Sequence, residues 1–209
     1  MESSLSPQIA ERLREVAAET LRSGPVNLSA VAKRTGVPRS TLYYNFKGAD
    51  ELTRWFVDEL LTELGEQMAA TVDAEPDPPA QLSAAVSATM ALTIDQPALT
   101  GALLSSVFSG PDFADRLRWT RDTVFPAVRE TLKRGIADGS FIDVDVDETI
   151  AALIGLIAVV SLHHLGTLGP ADPKLPANDS VSLFLQSLRN PAASRRTGRS
   201  SVSKIKRSS

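Results

Sequence analysis

The 209-residue chain has no cysteine, only two histidines and 5% aromatic residues. Without thiols there can be no disulfide, no thiolate zinc site and no cysteine nucleophile. The histidines, His163 and His164, are adjacent, so on a helix they point about 100° apart and cannot easily share a metal; no second histidine or paired acid accompanies them at helical spacing. A glycine-rich phosphate loop and a Ser/His/Asp arrangement are also missing, so no catalytic residue, metal ligand or cofactor is assigned. Asp143, Asp145, Asp147 and Glu148 suggest a calcium loop, but such a loop needs glycine at its sixth position and a bidentate acid at its twelfth, where the chain has Glu148 and Ile154. Those acids are expected instead to face the positive end of the next helix. The opening, MESSLSPQIAERL, has no basic stretch followed by an apolar run and is not expected to be a secretory signal. Together with the lack of cysteine this is compatible with a cytoplasmic location.

A net charge of -3 discourages a nucleic-acid reading until it is divided along the chain. Residues 1–54 carry 8 basic and 6 acidic side chains, residues 55–188 carry 7 and 19, and residues 189–209 carry 7 and none. The three parts are therefore +2, -12 and +7. An acidic middle repels phosphate, which directs any DNA contact to the two ends. The last segment, residues 191–209, lacks an apolar pattern and is expected to be a disordered basic tail.

No long alternation of apolar and polar residues demands a sheet, so the expected fold is all-α. Ile9, Leu13, Val16, Ala17 and Leu21 recur at spacings of three and four, as on an amphipathic helix that Gly24-Pro25 ends. The segment Leu28–Phe46, LSAVAKRTGVPRSTLYYNF, then packs two short helices around a turn. The first is expected over Ser29–Thr35 with Ser29 as N-cap, and Gly36 supplies the left-handed residue that ends it. Val37 plugs the corner, and Pro38 starts a second helix in which Leu42 and Phe46 share an inward face. Arg39, Ser40, Thr41, Tyr43 and Tyr44 are left largely outward, the composition of a helix-turn-helix that reads a major groove.

At these residues the chain resembles the TetR family of one-component bacterial regulators. The family's pattern appears as Val31-Ala32, Gly36-Val37, Thr41-Leu42-Tyr43, Phe46 and Leu52, over roughly the first quarter of the chain. It departs at Pro38, where the family often has serine, and at Ala49, where it usually has a lysine that reaches a phosphate; Lys47, two residues upstream, is the candidate replacement. The resemblance implies a homodimeric repressor that binds a double-stranded DNA operator and is released by a small-molecule effector. The expected DNA contacts are Ser29, Arg39, Ser40, Thr41, Tyr43, Tyr44 and Lys47, with Tyr43 and Lys47 on phosphate.

The expected organisation is a three-helix head at 1–50, an effector-binding and dimerisation body at 51–190 and the tail at 191–209. A helix from Asp50 carries Leu52, Phe56, Leu60, Leu61, Leu64 and Met68 on one side, and the prolines of Asp73–Gln81 end it. Two helices follow, Leu82–Ile94 and Ala98–Phe108, then a long one from Asp112 to Asp138 that Pro126 kinks. From Thr149 to Ala171 no residue is charged if the histidines are neutral, a length that could span a bilayer. However, Ser161, both histidines, Thr167 and several glycines crowd its second half, and no basic flank anchors it. A buried helix is the expectation, with a partner subunit covering what one small body cannot; Val181, Leu183, Phe184, Leu185 and Leu188 would complete that four-helix interface. An effector pocket is expected around Phe108, Phe113, Trp119, Phe125 and His163, although each is more often core than ligand site. The competing readings are a helical interaction or scaffold protein without specific DNA binding and a small helical enzyme.

Overall fold

The computed structural model describes residues 5–109, 111–166 and 177–191, and these form ten helices with one isolated antiparallel bridge, Phe141 to Arg189. In chain order they are α1 Pro7–Arg22, α2 Leu28–Thr35, α3 Arg39–Asn45, α4 Ala49–Asp73, α5 Pro78–Asp95, α6 Pro97–Phe108, α7 Phe113–Val124, α8 Pro126–Ala137, α9 Val146–His164 and α10 Ala177–Leu188. The expected all-α class is what is found. The chain divides into two compact units, one of Met1–Glu66 with Leu92–Val124, the other of Gln67–Ala91 with Phe125–Ser209. The expected tail beyond Pro191 and the stretch Thr167–Ala171 lie outside the described residues.

In the first unit, α1 buries Ala10, Leu13, Ala17 and Leu21, the three-and-four spacing of its sequence, against α2 and α6. Each leucine so removed from water contributes about 1.5–3 kcal/mol. Leu52, Phe56 and Val57 of α4 are fully buried. Gly65 lets α4 and α7 meet backbone to backbone, because a Cβ there would run into the Thr123 carbonyl.

Prolines shift helix boundaries from where they were expected. Pro78 and Pro79 begin α5 rather than preceding it, since the first turn needs no proline N–H; the Asp77 carboxylate caps that turn by accepting from Ala80 N–H at 2.9 Å. Pro126 does not kink one long helix but starts a new one. Its ring disfavours helical geometry at the preceding residue, and Phe125, at φ -111° and ψ 21°, stands between α7 and α8 outside both.

In the second unit, the buried Gln81 side chain accepts from Thr131 Oγ1 at 3.2 Å and from Arg134 Nη2 at 2.6 Å, and donates to the Glu75 carbonyl at 3.0 Å. Phe141 lies on the bare backbone of Gly135, so closely that a Cβ would collide with its ring. Around it Phe141 N–H donates to Gly135 O, Ile142 N–H to Leu188 O, and Asn190 N–H to Ser140 O, all at 2.8–2.9 Å. Of the acids after Gly139, Asp145 caps α9 by accepting from Glu148 N–H at 2.8 Å, and Asp147 in the first turn pairs with Arg129 at 2.9 Å. By length and composition α9 could cross a membrane. It buries Ile150, Leu153, Ile154, Ile157, Ala158 and Ser161, and it packs with α8 and α10. Its other side keeps Ala151, Ala152 and Val159 exposed, as α10 does Leu183.

Candidate nucleic-acid interface

The entry into α2 is fixed by Asn27, not Ser29. The Asn27 side chain accepts from Ser29 N–H at 2.9 Å and Ala30 N–H at 3.1 Å, which places the helix start one residue earlier than expected and leaves the Ser29 hydroxyl out of the cap. Gly36 ends α2 at φ 70°, in the left-handed region where a side chain would be strained. Val37 is buried at the corner. Pro38 serves as the residue before α3 rather than its first, its carbonyl accepting from Thr41 N–H at 3.0 Å and Leu42 N–H at 3.2 Å.

One face of α3 is locked inward. Leu42 is fully buried, and Phe46, which ends the helix, meets Trp55 of α4 edge to face at 6.0 Å between centroids. That anchorage forces the remaining side chains outward: Arg39, Ser40 and Lys47 are exposed, Tyr43 is 59% exposed and Tyr44 85%. Thr41 and Ser29 are half-buried at the edges of this face. The expected contact residues are therefore brought together around one short helix and the N-terminal turn of α2.

The beginning of α4 weakens the positive character of that face. Ala49 offers no charge, Asp50 and Glu51 occupy the first turn, and the Lys47 backbone N–H donates to Glu51 Oε2 at 2.6 Å. The Lys47 side chain is exposed beside this turn.

The five residues expected to line an effector pocket are distributed over both units. In the first, the Phe108 and Phe113 rings meet at 5.7 Å with a tilt of 40°, and the Trp119 ring lies 5.2 Å from the Arg116 guanidinium carbon. In the second, Phe125 is buried and His163 is half-buried in the last turn of α9.

Sequence reasoning missed a cavity of about 630 Å³ within the first unit, between the α1–α2 turn, the start of α4 and the α6–α7 segment. Arg116 lines it with a side chain only 11% exposed. Its Nη1 donates to Asp58 at 2.5 Å, while its Nε and Nη2, and Thr120 Oγ1 one turn later, are buried without a hydrogen-bond partner. Each such group costs about 1–3 kcal/mol. Burial pushes the Asp58 carboxyl above its ordinary range, outweighing the opposing pull of Arg116 and Arg54. The signal lay in the spacing: Arg116, Thr120 and Val124 share the inward face of α7, and an arginine on that face has to be paired.

No protein-family profile matches the chain, and no curated protein matches it. Solved structures do. A TetR transcription regulator from Haloarcula marismortui is 21% identical, with 88% of this chain and 100% of that one covered at a TM-score of 0.68. The regulator FadR from Bacillus subtilis, in complex with stearoyl-CoA, is 18% identical, with 87% and 98% covered at 0.64. RolR in complex with resorcinol is 14% identical, with 92% and 95% covered at 0.64. At these identities the likeness is one of fold, so the chain has a TetR-like all-helical fold whose N-terminal short helices form the helix-turn-helix.

Proposed function

We propose that the chain is a cytoplasmic, homodimeric transcriptional regulator that binds double-stranded DNA through α3 and acts as a repressor released by a small-molecule effector. The observation that carries this reading is the exposed face of α3, where Arg39, Ser40, Tyr43 and Tyr44 project while Leu42 and Phe46 fix the helix from beneath. Arg39 suits guanine or phosphate, Ser40 and Thr41 suit base edges or phosphate, and the Tyr43 hydroxyl and Lys47 suit the backbone. Ser29 completes the contact set from the start of α2. In this reading residues 1–50 are the head and 51–190 the effector-binding and dimerisation body.

Dimerisation is supported by α9 and α10, whose uncovered sides include Val159 at 55% and Leu183 at 66% exposure. Apolar patches of this kind are stabilised by a second copy, and a dimer presents two recognition helices about 34 Å apart to successive major grooves. The fold does not choose the effector, since relatives of it hold molecules as unlike as stearoyl-CoA and resorcinol. Phe108, Phe113 and Trp119, all of the first unit, are the proposed apolar contacts for it.

The acidic start of α4 favours a second reading, an interaction protein without specific DNA binding. Binding to random duplex and to the DNA upstream of its own gene at two salt concentrations separates the two. A regulator gives a steep salt slope and a sequence preference; an interaction protein gives neither.

A further inference from the structure

The cavity in the first unit is chemically uneven. Leu21, Pro25, Val26 and Ala102 make part of its wall apolar, whereas Thr53, Ser105, Ser106 and Ser109 bring hydroxyls to it. Its cationic groups are Arg54 and Arg116. Arg54 is held loosely, 3.8 Å from Asp112, and both of those side chains are well exposed. Arg116 is the unusual one: half-buried as a residue, hydrogen-bonded through Nη1 alone, with the Nε and Nη2 edge of its guanidinium out of solvent and unpartnered. That edge carries two parallel N–H groups at the spacing of a carboxylate's two oxygens.

From these features we infer that the cavity binds a small monocarboxylate with an apolar aromatic or short aliphatic body, received by Arg116. The ligand's carboxylate takes the Nε and Nη2 edge after a rotation of the guanidinium toward the cavity, and the Asp58 bond through Nη1 is kept. Asp50 and Asp112, which also line the space, oppose a dianion such as phosphate more strongly than a single carboxylate, which Arg116 receives through its hydrogen-bonding fork with Arg54 nearby. The volume falls within the range of small-molecule sites. The carboxylate site stands on this geometry alone; its service as the effector site rests on the regulator reading, because its wall includes Ala49 and Asp50, just beyond α3.

The chain has two tryptophans, Trp55 and Trp119, and Trp119 lies against Arg116. Full-length protein carrying Trp55→Phe therefore reports the site through Trp119 emission. Titration with benzoate and octanoate should give saturable changes, and benzamide, of the same shape but uncharged, should bind at least about tenfold more weakly. Arg116→Lys keeps a cation for Asp58 but loses the fork, and both carboxylates should weaken at least about tenfold. Ser105→Trp, followed by calorimetry because it adds a second emitter, fills the cavity with the Arg116–Asp58 pair untouched and should abolish binding. Absence of carboxylate binding, equal binding of benzamide, preference for inorganic phosphate, or undiminished binding in either variant would overturn the site. Operator DNA titrated into the same samples separates the two ideas. Carboxylate binding without any DNA binding sinks the regulator reading and leaves the site, whereas DNA binding without carboxylate binding does the reverse.

Discussion

Helices α3 and α9 each leave one side uncovered, and the two sides are chemically opposite. On α3 the exposed residues are arginine, serine and two tyrosines, each able to donate a hydrogen bond, on a helix of seven residues anchored by Leu42 and Phe46. On α9, between the acidic first turn and His164, they are Ala151, Ala152 and Val159, whose side chains donate nothing, on a helix of 19 residues. Burying the first face in an apolar partner would strand its polar groups, and burying the second against phosphate would gain nothing. The contrast teaches that exposure alone does not define an interface; the hydrogen-bonding capacity of the exposed groups selects the partner.

The hardest blow to this comparison is aimed at the apolar side. Val159→Asp with Leu183→Asp should convert a dimer to a monomer in light scattering and lower operator affinity more than about a hundredfold, because the second half-site is no longer bound intramolecularly. If the double variant stays dimeric, α9 and α10 are not the interface. On the polar side, Arg39→Ala should cost about 1–3 kcal/mol of operator binding, and Tyr43→Phe less, with thermal stability unchanged since both side chains are exposed. Ala49→Lys sharpens the same side by adding a cation where α4 begins. Operator affinity should rise severalfold and the salt slope should steepen by about one. An unchanged slope would mean that no phosphate passes the α4 terminus.

The smallest effect concerns a group beneath neither face. With its pKa raised, Asp58 contributes stability that is present at pH below the ordinary carboxylate range and lost as pH rises through the raised value. Asp58→Asn lacks that slope, so the wild type should gain on the variant in denaturant melts as the pH is lowered toward 4.

Much of this was legible in the sequence because the interactions are local. Gly36, Val37, Leu42 and Phe46 occupy expected roles, since a left-handed cap and an i,i+4 pair need only neighbouring residues. Where several polar residues compete within three positions, as Asn27 and Ser29 do, spacing does not decide between caps. Pro126 was misread for a different reason: a proline interrupting an apolar pattern is compatible with a kink or a restart, and only the Phe125 backbone distinguishes them. Beyond the inward spacing of Arg116 on α7, the cavity was not legible because its wall comes from three separate stretches of chain, around Val26, Arg54 and Ser105, that meet only in the folded unit.

The contacts around Phe141 have a consequence in time rather than in space. Ser140, Phe141 and Ile142 are tied backward to Gly135 and forward to Leu188 and Asn190, which closes about fifty residues of chain into a ring through main-chain bonds. Opening any one tie exposes the Gly135 backbone that the Phe141 ring covers, so the ties have little reason to open singly. Amide hydrogens at Phe141, Ile142 and Asn190 should accordingly exchange with solvent at a common free energy, as one cooperative unit of the native-state ensemble, rather than as the independent fraying of a loop and a helix end.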